Sequence, residues 1–279
     1  MTQEEIQARY ICIHGHFYQP PRENPWTGKI EPQASAGPFH DWNQRITVES
    51  YAPNSAASVL NSDGDVIRHV NNYSRISFNF GPTLLRWMKQ SEPETYSAIL
   101  AADLESQRAF SGHGSAIAQA YHHSILPLAS KKDKVTEVAW GIQDFEWRFG
   151  RQPEGRWLAA TAADVETLEV LASQGIRYTV LSPFQAAKTR PDGVREWNDA
   201  SSGRIDTRKA YRMRFPSGSE IAVFFYNGGI AKAVAFEKLL ENGDRFANRL
   251  RQGFGDDAST QLVHIATDGE TYGHHHKFG

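Results

Sequence analysis

The chain has 279 residues, of which 40% are hydrophobic and 22% are charged, and its formal net charge is -2. This composition is typical of a globular protein, and the length is enough for one large domain or two small ones. Because no run of Lys and Arg stands out and no apolar run approaches the ~18 residues that span a bilayer, nucleic acids and membranes are poor candidates as partners.

The N-terminal segment predicts a cytoplasmic protein with an early strand. Residues 1–10 are polar and acidic and lack the apolar centre of a signal peptide. Cys12 is the single cysteine, which excludes a disulfide within the chain and fits a reducing compartment. It lies in RYICIHG, a short apolar run that is predicted to form the first strand over 9–15.

Polar and aromatic residues follow this first strand in HGHFYQP. His14 and His16 lie on the same side of an extended chain, so both side chains can face one ligand. They could bind a metal ion or the polar groups of a substrate, or one could be buried and the other exposed. Gln19 and Glu23 belong to the next segment, 19–45, which is too irregular for a helix or strand. We expect that segment to be an ordered loop over a site.

Strand-like and helix-like segments alternate along the rest of the chain, which predicts a parallel sheet covered by helices. The predicted strands are 75–82, 155–159, 176–183 and 261–270, and a hairpin is predicted over 209–227. The predicted helices are 83–90, 93–110, 131–150, 165–174 and 231–254, the last with an interruption near Gly243. Polar residues gather after the strands, which favours a barrel-like α/β fold with its site at their carboxyl ends. No shift in composition marks a second domain, so 1–279 is expected to be one domain. Because the chain stops just after a polar stretch, we also expect it to be truncated from a longer protein.

Two later stretches carry further candidate residues. His113, His122 and His123 lie near a predicted strand end, where histidines are more often surface or core residues than ligands. After the last strand, Asp268 and Glu270 alternate on a chain expected to be extended, so both can point the same way. A carboxylate at such a strand end indicates catalysis more often than a helix cap.

Four stretches in this order, HGHFYQP, HHSILPL, GRWLAAT and ATDGETYG, resemble the motifs of glycoside hydrolase family 57. The resemblance covers almost all 279 residues. It is closest to a bacterial subgroup of large family-57-related proteins of poorly defined activity. It implies an incomplete (β/α)7 barrel, here with a small β-hairpin insertion, that acts on α-glucans or related glycans with retention of anomeric configuration. No metal or other cofactor is implied.

The resemblance also assigns roles to single residues. Asp268 falls on the general acid/base, and Trp157 falls in a strand motif that lines the pocket. The family pattern Gly-x-Trp-Leu-x-Glu is matched from Gly155 to Leu158, but the nucleophile position holds Ala160 instead of Glu. The residues predicted to bind substrate are His14, His16, Gln19, Glu23, His123, Trp157, Glu270 and His274.

The alanine matters because retaining glycosidases need two carboxyl groups about 5–5.5 Å apart. Loss of a nucleophile commonly lowers the rate by a factor on the order of 10⁴ or more. Glu154 precedes the strand and is expected ~15 Å away at its other end, and Asp164 is explained as a helix cap. Glu270 is the nearest replacement, but it is expected on the same side of the sugar as Asp268. Ala160 is therefore an engineered knock-out, a natural loss of activity, or a substitution compensated elsewhere.

Three hypotheses follow for the function. The first is a family-57-type enzyme in which Asp268 is the acid/base and Ala160 impairs turnover. The second is a non-catalytic module that binds glycans on the same scaffold. The third is a metal-dependent amidohydrolase that uses His14, His16 and Asp268, although the ends of the middle strands offer no further histidine or lysine for it.

Overall fold

Parallel strands dominate the two main sheets of the protein, of which a computed structural model describes residues 8–277. The strands are β1 (Arg9–Phe17), β2 (Ala57–Leu60), β3 (Val66–Val70), β4 (Ser77–Phe80), β5 (Ala118–Gln119), β6 (Gly155–Trp157), β7 (Tyr178–Leu181), β8 (Lys188–Thr189), β9 (Asn198–Asp199), β10 (Ala210–Arg214), β11 (Glu220–Phe225) and β12 (Gln261–Asp268). The α-helices are α1 (Trp42–Ile46), α2 (Ala52–Ser55), α3 (Pro82–Ser91), α4 (Pro93–Ala109), α5 (Lys131–Phe149), α6 (Val165–Ser173), α7 (Gly228–Phe236) and α8 (Gly243–Arg251). Within the described residues, no helix is both long enough and apolar enough to cross a membrane.

One main sheet has the order β12-β1-β4, and the other has the order β10-β11-β7-β6-β5. All neighbours are parallel except β10 and β11, which pair antiparallel at the edge of the larger sheet. The parallel sheets and their helices confirm a mixed α/β fold, but the described strands lie in separate sheets and do not form one closed barrel. Since β1, β4 and β12 run the same way, their carboxyl ends meet at one edge.

Local signals at helix ends predicted several boundaries correctly. Gly150 has φ 66° and closes α5, where its N–H donates to the Glu146 carbonyl, as expected of a left-handed C-terminal residue. Asp164 accepts a hydrogen bond from the Thr167 N–H and caps α6. The hairpin over 209–227 is also present, but β11 pairs with β7 and so is part of the main sheet.

The interruption expected near Gly243 is confirmed, because α7 and α8 are separate helices with a short 3-10 turn between them, and α8 begins at Gly243. Two other predictions were wrong in detail. The last strand ends at Asp268, because a 3-10 turn over Gly269–Thr271 follows instead of extended chain. The loop expected over 19–45 stays irregular only until Asp41, which caps α1 through the Gln44 N–H.

A helical segment over 42–55 has no counterpart in the predicted elements. It comprises α1, a π-helix over Thr47–Tyr51 and α2. The π-helix supplies Tyr51, which is completely buried with Phe17 and Phe80 in an aromatic cluster of the core. This segment packs against the turn that follows β12, and it therefore completes one wall of the site described below.

Candidate active site

A cavity of about 330 Å³ lies at the carboxyl ends of β1 and β12. Its lining residues are His16, Tyr18, Gln19, Trp42, Ile46, Asp268, Glu270, His274 and His275. Five of them were predicted site residues, and they come from stretches of sequence more than 200 residues apart. A larger cavity of about 590 Å³ between α7 and α8 contains none of the predicted residues. We place the candidate site in the smaller cavity for that reason.

The parallel pairing of β1 with β12 makes His16 and Asp268 register partners. Two polar residues from different motifs therefore lie side by side on neighbouring strands. Neighbouring groups partly desolvate the Asp268 carboxyl and raise its pKa, although the residue is still exposed to solvent, and His275 opposes the shift. A carboxyl with a raised pKa retains its proton to higher pH, which suits a group that must donate one.

The predicted histidines form a stack with aromatic rings. The Trp157 ring lies 4.9 Å from His14 and 5.2 Å from His16, centroid to centroid. His123 stacks on His16 at 4.8 Å and on Tyr18 at 3.9 Å. These contacts bring the ends of β1, β5 and β6 together and confirm that His14 and His16 face the same side.

Hydrogen bonds from β4 hold the two histidines of β1. His14 Nδ1 lies 2.9 Å from Ser77 Oγ, and Asn79 contacts both His14 and His16. Asn79 in turn donates to the Gln119 carboxamide oxygen. Ser77 and Asn79 were not predicted as site residues. The alternation of polar and apolar residues in SFNF was a usable signal, since these two residues share one face of β4.

Burial keeps these imidazoles neutral. It lowers the pKa of His14 to about 4 and that of His16 to about 3, where the neighbouring His123 and His14 add to the effect. The pKa of His123 is likewise lowered to about 4 by burial. The group therefore offers neutral hydrogen-bond donors and acceptors, and not a positive patch, at neutral pH.

Glu270 belongs to a second hydrogen-bonded chain in the cavity wall. The Tyr51 hydroxyl donates to Glu270 Oε1, and Gln19 Nε2 lies 3.5 Å from the same oxygen. Arg22 Nη2 donates to Gln19 Oε1 at 2.6 Å. Burial raises the pKa of Glu270 to about 7, and the hydrogen bond from Tyr51 opposes the rise. Glu270 thus holds a proton near neutral pH.

Two other predicted site residues lie at the margin of this arrangement. His274 lines the cavity, where its Nδ1 bonds to a Glu49 carboxylate oxygen and its ring lies edge-on to Trp42 at 5.9 Å. Glu23 does not line the cavity. Its carboxylate accepts from the Arg22 backbone N–H at 3.0 Å, within the irregular segment before α1.

Ala160 lies in a strained turn directly after β6. Its φ is 52° and ψ is 23°, and Thr161 follows with φ 51°, so two successive residues with side chains are left-handed. The Ala160 methyl group is exposed, and the carboxamide of Gln185 donates to the Thr161 carbonyl. Strained backbone of this kind clusters at functional sites.

The nearby carboxylates are occupied elsewhere. Glu154 is bonded to Arg177 at 2.7 Å and to His113 at 2.8 Å. Asp164, besides capping α6, accepts from Lys134 Nζ at 2.9 Å. Neither side chain is available to replace a carboxylate at position 160, as the sequence indicated.

Comparison with known proteins identifies the family to which the chain belongs. The family model described as Glycosyl hydrolase family 57 matches residues 71–279. The chain is 27% identical over 201 residues to Alpha-amylase 1 of Dictyoglomus thermophilum, a match that covers 71% of this chain and 26% of that protein.

Two solved structures share the fold. The 4-alpha-glucanotransferase from Thermococcus litoralis gives a TM-score of 0.64 at 16% identity, over 96% of this chain and 34% of that one. The GH57-type branching enzyme from Pyrococcus horikoshii gives 0.60 at 16% identity, over 95% of this chain and 64% of that one. The chain therefore spans about a quarter of the length of the amylase and about a third of that of the glucanotransferase.

Proposed function

The chain belongs to glycosyl hydrolase family 57, and we propose that its cavity binds an α-glucan or a related oligosaccharide, with Asp268 as general acid/base. The observation that carries the proposal is the register pair of His16 and Asp268 beside the ring of Trp157. Sugar sites combine an apolar ring face with a few fixed polar groups. The pair supplies the polar groups, and Tyr18 and Trp42 supply aromatic rings in the same cavity wall.

We propose that further residues around His16 and around Glu270 also bind the glycan. His16, Gln19, Glu270 and His274 line the cavity and would contact sugar hydroxyls directly. We assign His14, His123 and Trp157 to the same subsite because they stack on one another around His16. Glu23 lies outside the cavity wall, so its proposed contact is with a longer glycan.

In the proposed chemistry, Asp268 gives its proton to the glycosidic oxygen as the bond to the anomeric carbon breaks. Retention needs a second carboxylate about 5–5.5 Å away to form the glycosyl-enzyme ester. From the resemblance to the family motif we propose position 160 for that group, where alanine offers only a methyl group. We therefore propose that this chain binds glycan but turns it over slowly or not at all.

We also propose that seven strands, β1, β4, β5, β6, β7, β11 and β12, are those of an incomplete (β/α)7 barrel within one domain. Two contacts between the separate sheets support this. Phe78 and Ala116 form a parallel bridge that links β4 to the chain before β5. At the other side, the Asn227 N–H donates to the His264 carbonyl of β12 at 2.8 Å.

A non-catalytic glycan-binding module is the second candidate. The observation that favours it is the exposed methyl group of Ala160, which leaves the strained turn after β6 without a carboxylate. It differs from the first candidate only in turnover, since both require the same binding cavity.

Nothing in the site favours a metal-dependent amidohydrolase. His14 and His16 are both engaged by β4 side chains. Among residues 8–277, no three His, Cys, Asp or Glu side chains are grouped so that they could hold a metal ion.

The test compares the chain with its Ala160→Glu variant for product release and for binding on a panel of α-glucans. If only the Glu variant releases product, position 160 is the nucleophile site and the impaired-enzyme proposal is supported. If both bind and neither turns over, the binding-module candidate is supported. If the unchanged chain is already active, the placement of the nucleophile is wrong, and Glu270 is the next residue to substitute.

A further inference from the structure

Asn79 lies between the two histidines of β1 and contacts both of their rings. It is completely buried and is the register partner of His16 on β4. Its Nδ2 lies 2.9 Å from His16 Nδ1, and its Oδ1 lies 3.0 Å from His14 Nε2 and 3.3 Å from His16 Nδ1. A carboxamide donates only through nitrogen and accepts only through oxygen. Asn79 therefore donates to the His16 ring through Nδ2 and accepts from the His14 ring through Oδ1.

The protonation state of each ring follows from this arrangement. Since burial keeps His14 and His16 neutral at pH 7, each ring carries one N–H. His14 donates through Nε2 to Asn79 Oδ1, and its Nδ1 accepts from the Ser77 hydroxyl. Of the two Asn79 atoms near His16 Nδ1, the amide nitrogen at 2.9 Å is closer than the oxygen at 3.3 Å, so we assign Nδ1 as the acceptor and place the single proton of His16 on Nε2.

Of the four ring nitrogens of His14 and His16, His16 Nε2 is the one that remains open to a ligand. Within residues 8–277 this nitrogen makes no hydrogen bond, and it keeps some solvent-accessible surface. His16 lines the cavity, and its ring is held by stacking on Trp157 and His123. The direction of its N–H is therefore fixed before a ligand arrives, which lowers the entropic cost of binding.

We propose that Asn79 is a positioning residue that holds His16 as the Nε2–H tautomer, so that His16 presents a neutral hydrogen-bond donor to an acceptor oxygen of the ligand. Gln119 supports Asn79 by accepting from the same amide nitrogen and is itself buried. The identity of the ligand as a sugar rests on the proposed function, whereas the tautomer does not. A ligand that lacks an acceptor oxygen at this point would leave a desolvated N–H without a partner and bind more weakly.

The tautomer can be measured directly by nitrogen NMR of the chain labelled with ¹⁵N-histidine. The spectrum of the unchanged chain should show His16 with an unprotonated Nδ1 and a protonated Nε2, and the signals are assigned by their loss in His16→Gln. In Asn79→Asp, which keeps the shape but loses the donor, the His16 proton should move to Nδ1. Ser77→Ala is the matched control, because it removes a partner of His14 only, and His16 should keep its tautomer.

Two spectral results would overturn the inference: a protonated His16 Nδ1 in the unchanged chain, or an unchanged tautomer in Asn79→Asp. If Asn79→Asp does not fold, the spectrum of the unchanged chain still decides.

Titration with maltohexaose separates this inference from the proposed function. We expect Asn79→Asp to bind about tenfold more weakly, the loss typical of one hydrogen bond to a ligand. Equal affinity despite a moved proton would overturn the positioning role. Tautomers as expected, with no maltohexaose binding by the unchanged chain, would support the tautomer assignment and reject the α-glucan proposal.

Discussion

The hydroxyl of Tyr51 donates a hydrogen bond to the carboxylate of Glu270, joining a π-helix to the turn that follows the last strand. The two residues are 219 positions apart in the chain. The contact closes one wall of the cavity and favours the ionised form of Glu270, against the larger effect of burial on its pKa. π-Helical turns are rare and concentrate at functional sites, which agrees with this position.

The first prediction concerns the effect of pH on stability through Glu270. Its pKa is raised from 4.5 to about 7 in the folded protein, so the protonated carboxyl stabilises the folded state fully below pH 4.5. This stabilisation is lost as pH rises through 7, where ionising the buried carboxyl becomes a penalty. Glu270→Gln removes this penalty and should be more stable than the unchanged chain at pH 8, by on the order of 3 kcal/mol at most. Thermal unfolding at pH 4.5 and pH 8 measures the difference, which should vanish at the lower pH.

Glu154→Gln is the control with the opposite sign. Burial opposes ionisation of Glu154, but hydrogen bonds from His113 and Arg177 lower its pKa overall. Its contribution is therefore present at neutral pH and lost in acid, so the amide variant should be less stable at pH 7, by up to about 1 kcal/mol. A Glu270→Gln variant that loses stability at pH 8 would contradict the raised pKa.

The second prediction concerns the hydroxyl of Tyr51. Tyr51→Phe removes the hydrogen bond that favours ionised Glu270, so the pKa of Glu270 should rise further. The change is measured by following the Glu270 carboxyl carbon in an NMR titration. Tyr73→Phe is the matched control, because the Tyr73 hydroxyl bonds to the Tyr51 carbonyl and not to the carboxylate. A pKa that falls in Tyr51→Phe would refute the proposed direction.

The third prediction concerns Asp268 in a chain with restored activity. In the Ala160→Glu background, Asp268→Asn should reduce turnover by a factor on the order of 10² or more, because the proton donor is lost. The folded state should be retained, since Asp268 makes no side-chain hydrogen bond or salt bridge within the described residues. Activity is followed as reducing-end release, and circular dichroism checks the fold. Unchanged turnover would rule out the acid/base assignment.

The fourth prediction concerns Trp157, which is 6% exposed and stacks on both histidines of β1. Trp157→Ala should destabilise the protein by about 3–5 kcal/mol, because it leaves a cavity behind the rings. Trp26→Ala is the control, since Trp26 is 91% exposed and should change stability by less than about 0.5 kcal/mol. Urea unfolding of both variants gives the comparison, and equal stabilities would mean that the stack carries no packing energy.

The fifth prediction concerns Gly273, where the turn after β12 meets the helical segment over 42–55. Its φ is 121°, and a β-carbon there would lie 2.2 Å from the Glu49 carbonyl oxygen. Gly273→Ala should therefore destabilise the protein by more than about 1 kcal/mol and displace His274 from the cavity wall. Gly218→Ala has a similarly positive φ but nothing near its β-carbon, so it isolates the backbone cost. If the two variants lose equal stability, the close approach to Glu49 is unimportant.

The residues that the sequence identified most securely are those whose role depends on near neighbours. Asp164 and Gly150 mark helix ends because capping involves groups only three or four residues away. The two-residue spacing of His14 and His16 on a strand likewise determines that they face one side. Ala160 was singled out differently, by the resemblance of the segment from Gly155 to a family motif, and its role as the nucleophile position stays a prediction.

Only the tertiary structure decided which distant groups meet. The pairing of Asn79 with His16 and of Tyr51 with Glu270 depends on strand register and on the packing of a π-helix. Neither has a signature in neighbouring residues, because the energy that selects them comes from burying side chains between elements far apart in the chain. The pKa values of the site follow from that burial, so the sequence determined the chemical groups and the fold determined their protonation.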